Sequence, residues 1–285
     1  MATLIDFRRR IRSVKNTQQI TRAMKFVSAA RLRRAQERVL ASRPYAREIL
    51  SVLRSARSRM EEVTHPLLKV RPEERLLVII LSGDKGLCGA FNANVLRKAV
   101  EFLREHHAQP MQLVAVGKKS RDALRKRKLE IAAEFLNVSL RVEFRHAKEI
   151  AARAVAGYSA GEVDAVYLIY NEFKNVMTQK LVVSKLLPVE PATFDSGANP
   201  VDYIYEQPAA EIFDRMVPRY VEGEVFRALL ESAAAEHSAR MTAMDSATNN
   251  AGDLIESITM HMNKVRQAAI TKEIIEVVSA AASAS

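Results

Sequence analysis

The densest cluster of residues capable of chemistry is Ser82-Gly83-Asp84-Lys85-Gly86-Leu87-Cys88-Gly89-Ala90-Phe91-Asn92. It follows the apolar run Leu76-Leu77-Val78-Ile79-Ile80-Leu81 and precedes an amphipathic stretch. That is the strand-to-helix position where free backbone N–H groups hold phosphates. The loop lacks the Gly-Lys-Ser/Thr ending of a P-loop, and its Gly-x-x-Gly-x-x-Gly is not the dinucleotide fingerprint. It reads as a tight, exposed turn. Cys88, the single cysteine, would gain reactivity at a helix N-terminus, but no Cys-His-Asn or Cys-His-Asp set can be assigned. The six histidines (His65, His106, His107, His146, His237, His261) form no His-x-x-x-His pair and none sits near a cysteine, so no zinc pattern exists. No catalytic, metal-ligating or cofactor-binding residue is assigned.

The elements that would position such residues fall into three regions, within 285 residues that suit one large or two ordinary domains. Residues 1–65 read as one long helix with no glycine and a single proline, Pro44, expected to kink it. Apolar residues recur at Leu4, Phe7, Ile11, Val14, Ile20, Met24 and Val27 in steps near three and four. The stretch from Met1 to Met60 carries 16 Lys or Arg against Asp6, Glu37 and Glu48, a net +13 in a chain of +11. Such a helix presents charge to an acidic partner. Residues 75–190 alternate strand and helix, with strands at 76–82, 111–117, 165–170 and 180–187 and a hairpin through Asn175 to Thr178. This is the pattern of an α/β domain with a largely parallel sheet. After a loop rich in Pro and Gly, residues 209–285 return to helix, with Pro218 and Gly223 as points of interruption.

Neither terminal helix can bury its stripe alone. The economical solution is a long antiparallel coiled coil of the two ends flanking a Rossmann-like α/β insert. Its seam reads as small residues (Ala23, Ala29, Ala30, Ala243, Ala247, Ala251), with polar Gln18, Thr21 and Asn250. One cysteine excludes an internal disulfide. No apolar run reaches the length of about 20 residues that spans a bilayer. The start lacks a signal peptide, and its helical pattern continues without a cleavage-like break. The basic helix alone leaves nucleic acid and acidic protein loops both open. A nucleotide-binding α/β enzyme is the reading suggested by the Gly-rich turn.

Three stretches taken together resemble the gamma subunit of the F-type ATP synthase. They are Asn16-Thr17-Gln18-Gln19-Ile20-Thr21-Arg22-Ala23-Met24-Lys25-Phe26-Val27-Ser28-Ala29-Ala30, then Ser82 to Asn92, then Asn263 to Val278. The resemblance spans essentially the whole chain. It implies a non-catalytic rotor shaft, without cofactor, inside a ring of three alpha and three beta subunits. The shaft rests with the epsilon subunit on the membrane c-ring and couples proton translocation to ATP synthesis. It implies no nucleic-acid partner, and a peripheral place at the cytoplasmic face of a bacterial inner membrane. Residue by residue, Met24 and Lys25 match a Met-Lys pair near the acidic lever loop of beta. Lys85 and Arg97 match basic positions beside that loop. Arg266, Gln267 and Thr271 match positions that catch a loop of one beta subunit. The end, Ser279-Ala280-Ala281-Ala282-Ser283-Ala284-Ser285, is more polar than the family's usual tail.

Overall fold

The computed structural model describes residues 3–60, 65–176, 178–190, 192–195, 203 and 205–284, with backbone alone for 192, 195 and 280–284. The chain forms two compact units: Met1–Ser28 with Met241–Ser285, and Ala29–Arg240. The helices α1 (Leu4–Arg57) and α6 (Ala209–Ala284) contribute to both.

In the larger unit β1 (Leu76–Leu81), β2 (Met111–Val116), β3 (Ala133–Phe135), β4 (Ala165–Phe173) and β5 (Gln179–Leu187) form one sheet, ordered β3-β2-β1-β4-β5. The first four run parallel and β5 returns antiparallel beside β4. Parallel neighbours need crossovers, supplied by α2 (Phe91–Glu105), α3 (Lys118–Lys126) and α4 (Phe144–Ser159). Every residue of β1 is buried, because successive side chains point to opposite faces and both faces are covered. Leu77, Ile79 and Leu81 join a core with Ile150 and Ala154 of α4, Leu53 of α1 and Phe213 and Val217 of α6. Leu76, Val78 and Ile80 pack with Val95, Ala99 and Phe102 of α2 and Leu124 of α3. The hairpin falls at the expected place: Asn175 N donates to Thr178 O at 3.2 Å, and Thr178 N to Asn175 Oδ1 at 2.7 Å.

In the smaller unit the two helix segments pair antiparallel. The rings of Phe7 and His261 meet at 5.2 Å. Gln18 Nε2 donates to Thr248 O at 3.3 Å, the Thr21 and Thr248 hydroxyls lie 2.8 Å apart, and Lys25 Nζ meets Asp245 Oδ1 at 2.6 Å. Partner numbers fall along α6 as they rise along α1, which fixes the register. The covered positions of α1 include Leu4, Phe7, Ile11, Val14, Gln18, Thr21, Lys25 and Ser28, in alternating steps of three and four, with Met24 beside them. On α6 they include Met244, Thr248, Ala251, Ile255, Ile258, Met262 and Val265. Both are heptad seams of the coiled-coil type.

This corrects the stripe read from hydrophobicity. Beyond Val14 the seam, Met24 apart, runs through polar residues: Gln18, Thr21 and Lys25 bond across the helix pair, and Ser28 bonds back to the Met24 carbonyl. Ile20, Val27 and Leu254 are exposed instead, as are Ala23, Ala30 and Asn250. Other expectations shift in detail. α1 continues through Pro44 and ends at Arg57, short of residue 65. His65 then caps a 3-10 turn at Pro66–Leu68, its Nδ1 accepting from Leu67 N at 3.0 Å. α6 runs through both Pro218 and Gly223. The three-residue strand β3 was not expected, being too short to show an apolar pattern.

Gly117, between β2 and α3, has φ +96°, and a Cβ there would stand 2.3 Å from Ser82 O. Glycine alone fits. Gly117→Ala is expected to cost about 3 kcal/mol, read as a lowered midpoint in urea unfolding of the purified chain.

Candidate functional site

The C-terminal ends of parallel strands, where strand order reverses, are where open α/β sheets bind ligands. Here that crest is filled by the chain itself. Asp84 Oδ1 accepts from Lys118 N (3.0 Å) and Asn137 N (2.9 Å), and its Oδ2 from Ser139 N (3.3 Å) and Ser139 Oγ (2.9 Å). The carboxylate thus sits at the N-terminus of α3, where a nucleotide fold would place phosphate. Gly83 N donates to Asn92 Oδ1 at 2.9 Å. Asn92 Nδ2 in turn donates to Cys88 Sγ at 3.1 Å. Ser82, Asp84 and Cys88 are buried, so only part of the loop is the exposed turn expected from sequence. Burial pushes the Cys88 thiol up, with the Glu236 carboxylate adding to this against the opposing Arg240 charge; a protonated thiol is a poor nucleophile.

Over this loop lies an ion pair whose burial no local sequence pattern announced. Arg240 Nη2 donates to Glu236 Oε1 at 2.6 Å, with side chains only 10% and 5% exposed. Arg240 Nε and Nη2 also donate to the Gly86 carbonyl, at 3.4 and 3.3 Å. The Glu236 carboxylate comes so close to Gly83 that an added Cβ would meet it at 2.9–3.1 Å. His237, also buried, faces Arg240 Nη1 through Nδ1 at 3.4 Å. Its pKa is lowered to about 4, first by burial, then by the charges of Arg240 and Arg31. An i, i+4 Glu–Arg spacing on α6 was visible in the sequence, but its burial depends on a loop 150 residues earlier.

The residues assigned by resemblance are divided between the two units, and within the smaller one they fall in two separate groups. Met24 is half-buried on α1, its carbonyl accepting from Ser28 Oγ at 2.7 Å. Lys25 is held by Asp245, a half-exposed pair worth under about 1 kcal/mol. Arg266, Gln267 and Thr271 are exposed on α6, and Thr271 Oγ1 donates to Gln267 O at 2.9 Å. The 21 residues from Asp245 to Arg266 put about 30 Å of helix between these two groups at 1.5 Å per residue. In the larger unit Lys85 and Arg97 are exposed, and Arg97 Nη2 donates to Asn94 Oδ1 at 2.8 Å. Between Lys85 and Cys88, Leu87 adopts φ +62° and is 64% exposed, a strained conformation for a non-glycine residue.

Phe7 meets His261 near the start of α1, so α6 soon runs past its partner. From Arg266 to Ser279 every described side chain is exposed, among them Ile270, Ile274, Ile275, Val277 and Val278, at 49% to 70%. A concentration of large apolar residues on one bare helix marks a surface that another molecule covers.

Chain ends paired as antiparallel helices, with an α/β sheet domain inserted between them in the sequence, define a class of discontinuous helical hairpin with an α/β insert. The ATP synthase family model matches residues 3–284. An ATP synthase gamma chain of Solibacter usitatus is 52% identical, with all of both chains covered. One of Pelotomaculum thermopropionicum is 49% identical over 99% of each. Among solved structures, the central stalk and c-ring of the Tetrahymena thermophila mitochondrial ATP synthase matches with TM-score 0.59 and 28% identity, over 80% of this chain and 99% of that one. A rotor chain of the Euglena gracilis mitochondrial ATP synthase shares the fold at TM-score 0.67 and 20% identity, over 94% and 98%. The chain belongs to the ATP synthase gamma chain family. It is the central-stalk subunit of that enzyme complex.

Two outcomes follow from the buried polar cluster. Arg240→Ala leaves the Glu236 carboxylate buried and unpaired, a loss of about 3–5 kcal/mol measurable by urea unfolding at pH 7. The folded His237 imidazole stays neutral down to about pH 4, whereas the unfolded one protonates near 6.5. The unfolded chain therefore binds more protons in that window. Stability is complete above about pH 6.5 and falls as pH drops toward 4, by roughly 2 kcal/mol at pH 5. His237→Gln should flatten that share of the slope between pH 7 and pH 5.

Proposed function

We propose that this chain is a non-catalytic rotor that transmits torque between a membrane c-ring and the catalytic sites of a ring of three alpha and three beta subunits. Family membership supports it, and so does the Tetrahymena relative, described with its c-ring. The observation that carries the reading is the bare, apolar C-terminal part of α6. A helix with Ile270, Ile274, Ile275, Val277 and Val278 in water gains hydrophobic stabilisation when a sleeve of other subunits closes on it. A bearing needs such contacts to be non-directional, because the surface must slide.

The charged positions supply the angular part. Met24, Lys25, Lys85, Arg97, Arg266, Gln267 and Thr271 are proposed to meet loops of the beta subunits, acidic where the partner residue is basic. Each exposed pair contributes about 0–1 kcal/mol, so torque is proposed to be the sum of many weak contacts and steric push. The buried cluster supports the absence of catalysis. The Asp84 carboxylate is spent on four internal hydrogen bonds, and the Cys88 thiol is held protonated. The epsilon subunit completes the foot. No helix among the described residues is long and apolar enough to cross a membrane. Attachment at the cytoplasmic face of a bacterial inner membrane would therefore run through the c-ring.

Replacing Arg266 and Gln267 together with Ala tests the assignment, since both side chains are exposed. The melting temperature of the chain should not move, while ATP-driven proton pumping by the assembled enzyme in membrane vesicles should fall about two- to fivefold. Unchanged pumping removes these two residues from the torque path.

A further inference from the structure

One strongly charged feature lies outside every role assigned above. In the larger unit an open groove of about 570 Å³ is lined by Arg31, Arg34 and Arg38 of α1, Arg141 and Ser139 of the loop before α4, and His237 of α6. The three α1 arginines recur at steps of three and four, so they share one helix face over two turns. Arg141, on the loop before α4, also lines the groove. No carboxylate lines the groove. Glu37 pairs with Arg33, Glu143 holds Arg141 at 3.2 Å from beyond the rim, and Glu236 is committed to Arg240. Arg31 and Arg34 have no ion-pair partner among the described residues. Arg38 Nη2 donates to the Val142 carbonyl at 2.5 Å, which fixes its guanidinium before any ligand arrives. The rest of the lining is apolar: Ala35, Leu140, Val142, Leu230 and Ala233.

We propose that this groove is a binding site for a soluble phosphate-bearing anion of nucleotide size. Its phosphates would lie among Arg31, Arg34 and Arg141, and its uncharged part against Leu140, Val142, Leu230 and Ala233. Guanidinium groups pair with phosphate oxygens through two parallel hydrogen bonds. Arg31 and Arg34 lie on one helix face with no carboxylate paired to them among the described residues, and such like charges cost free energy, which a multivalent anion recovers. The groove covers only two turns of α1, about 10 Å along the axis. It therefore suits a compact anion carrying several charges better than an extended acidic chain segment. The apolar wall adds what inorganic phosphate alone does not use. The site does not depend on the rotor reading. It stands or falls with binding to the full-length chain, whereas the rotor reading stands or falls with the assembled enzyme.

The experiment is calorimetric titration of the full-length chain with ADP and with pyrophosphate, at low salt and at 150 mM salt (about the physiological ionic strength). Saturable binding of one equivalent is expected, and roughly tenfold weaker binding by Arg31→Gln/Arg34→Gln. Arg9→Gln/Arg10→Gln, which removes equal charge from the smaller unit, should bind as the parent does. The His237 imidazole gives an independent readout, because a bound anion beside it should raise its NMR titration midpoint in the parent chain and not in Arg31→Gln/Arg34→Gln. Should that variant unfold, Arg31→Lys/Arg34→Lys keeps the charge and is expected to lose affinity through the missing bidentate geometry. Four results would overturn the proposal: no saturable binding, equal loss in the two double glutamine variants, preferential binding of a glutamate decapeptide over ADP, or displacement of ADP by vesicles of anionic phospholipid.

Discussion

The pairing of two helix segments from opposite ends of the chain is the constraint on which the rest depends. Each presents a heptad seam that water would otherwise wet, and a seam of this period matches only another helix. Apolar residues at Phe7, Ile11 and Val14 drive association. The polar positions Gln18, Thr21 and Lys25 settle the register, because each finds its partner at Thr248 or Asp245 and a one-turn slip would strand it. Antiparallel pairing also decides which residues are left without a partner. Since Phe7 already stands opposite His261, the last turns of α6 extend beyond α1 with their isoleucines and valines in solvent.

The sheet obeys a different logic. Among the parallel strands β1 is buried on both faces and β2 and β4 mostly so, and their crest, where an enzyme of this topology would build its pocket, is closed by the chain's own groups. Asp84 satisfies three backbone donors and a hydroxyl from two neighbouring segments, and the Glu236–Arg240 pair seals the loop from above. Burying an ion pair contributes little net stability. What it supplies here is a fixed relation between the loop at 83–86 and α6, since Arg240 bonds to the Gly86 carbonyl and the Glu236 carboxylate fills the space beside Gly83. With the crest sealed, function moves to the outer surfaces of the helices.

Much of this was legible in the sequence. Apolar runs marked β1, β2, β4 and β5, and Asn175 to Thr178 marked the hairpin, because local turn chemistry and full burial both leave a compositional trace. The family could be named from three stretches of sequence. The seam beyond Val14 was misread because hydrophobicity follows Ile20 and Val27, whereas the pairing follows polar side chains whose worth appears only opposite Thr248 and Asp245. The buried state of Asp84 and Cys88 was equally hidden, as it depends on residues of α6 and of the 137–139 segment. The arginine groove escaped notice for a related reason: its arginines looked like part of a uniformly basic helix until Arg141 and His237 were placed beside them.

The central claim, that this chain turns, is tested most directly by single-molecule rotation. A reporter can be fixed through Lys126→Cys, an exposed position at the end of α3, in a chain whose buried cysteine is removed as Cys88→Ser. Assembled with the alpha and beta subunits of its own synthase and supplied with ATP, the reporter should turn in one direction in discrete steps. An assembled complex that hydrolyses ATP at a normal rate while the reporter stays still would contradict the account.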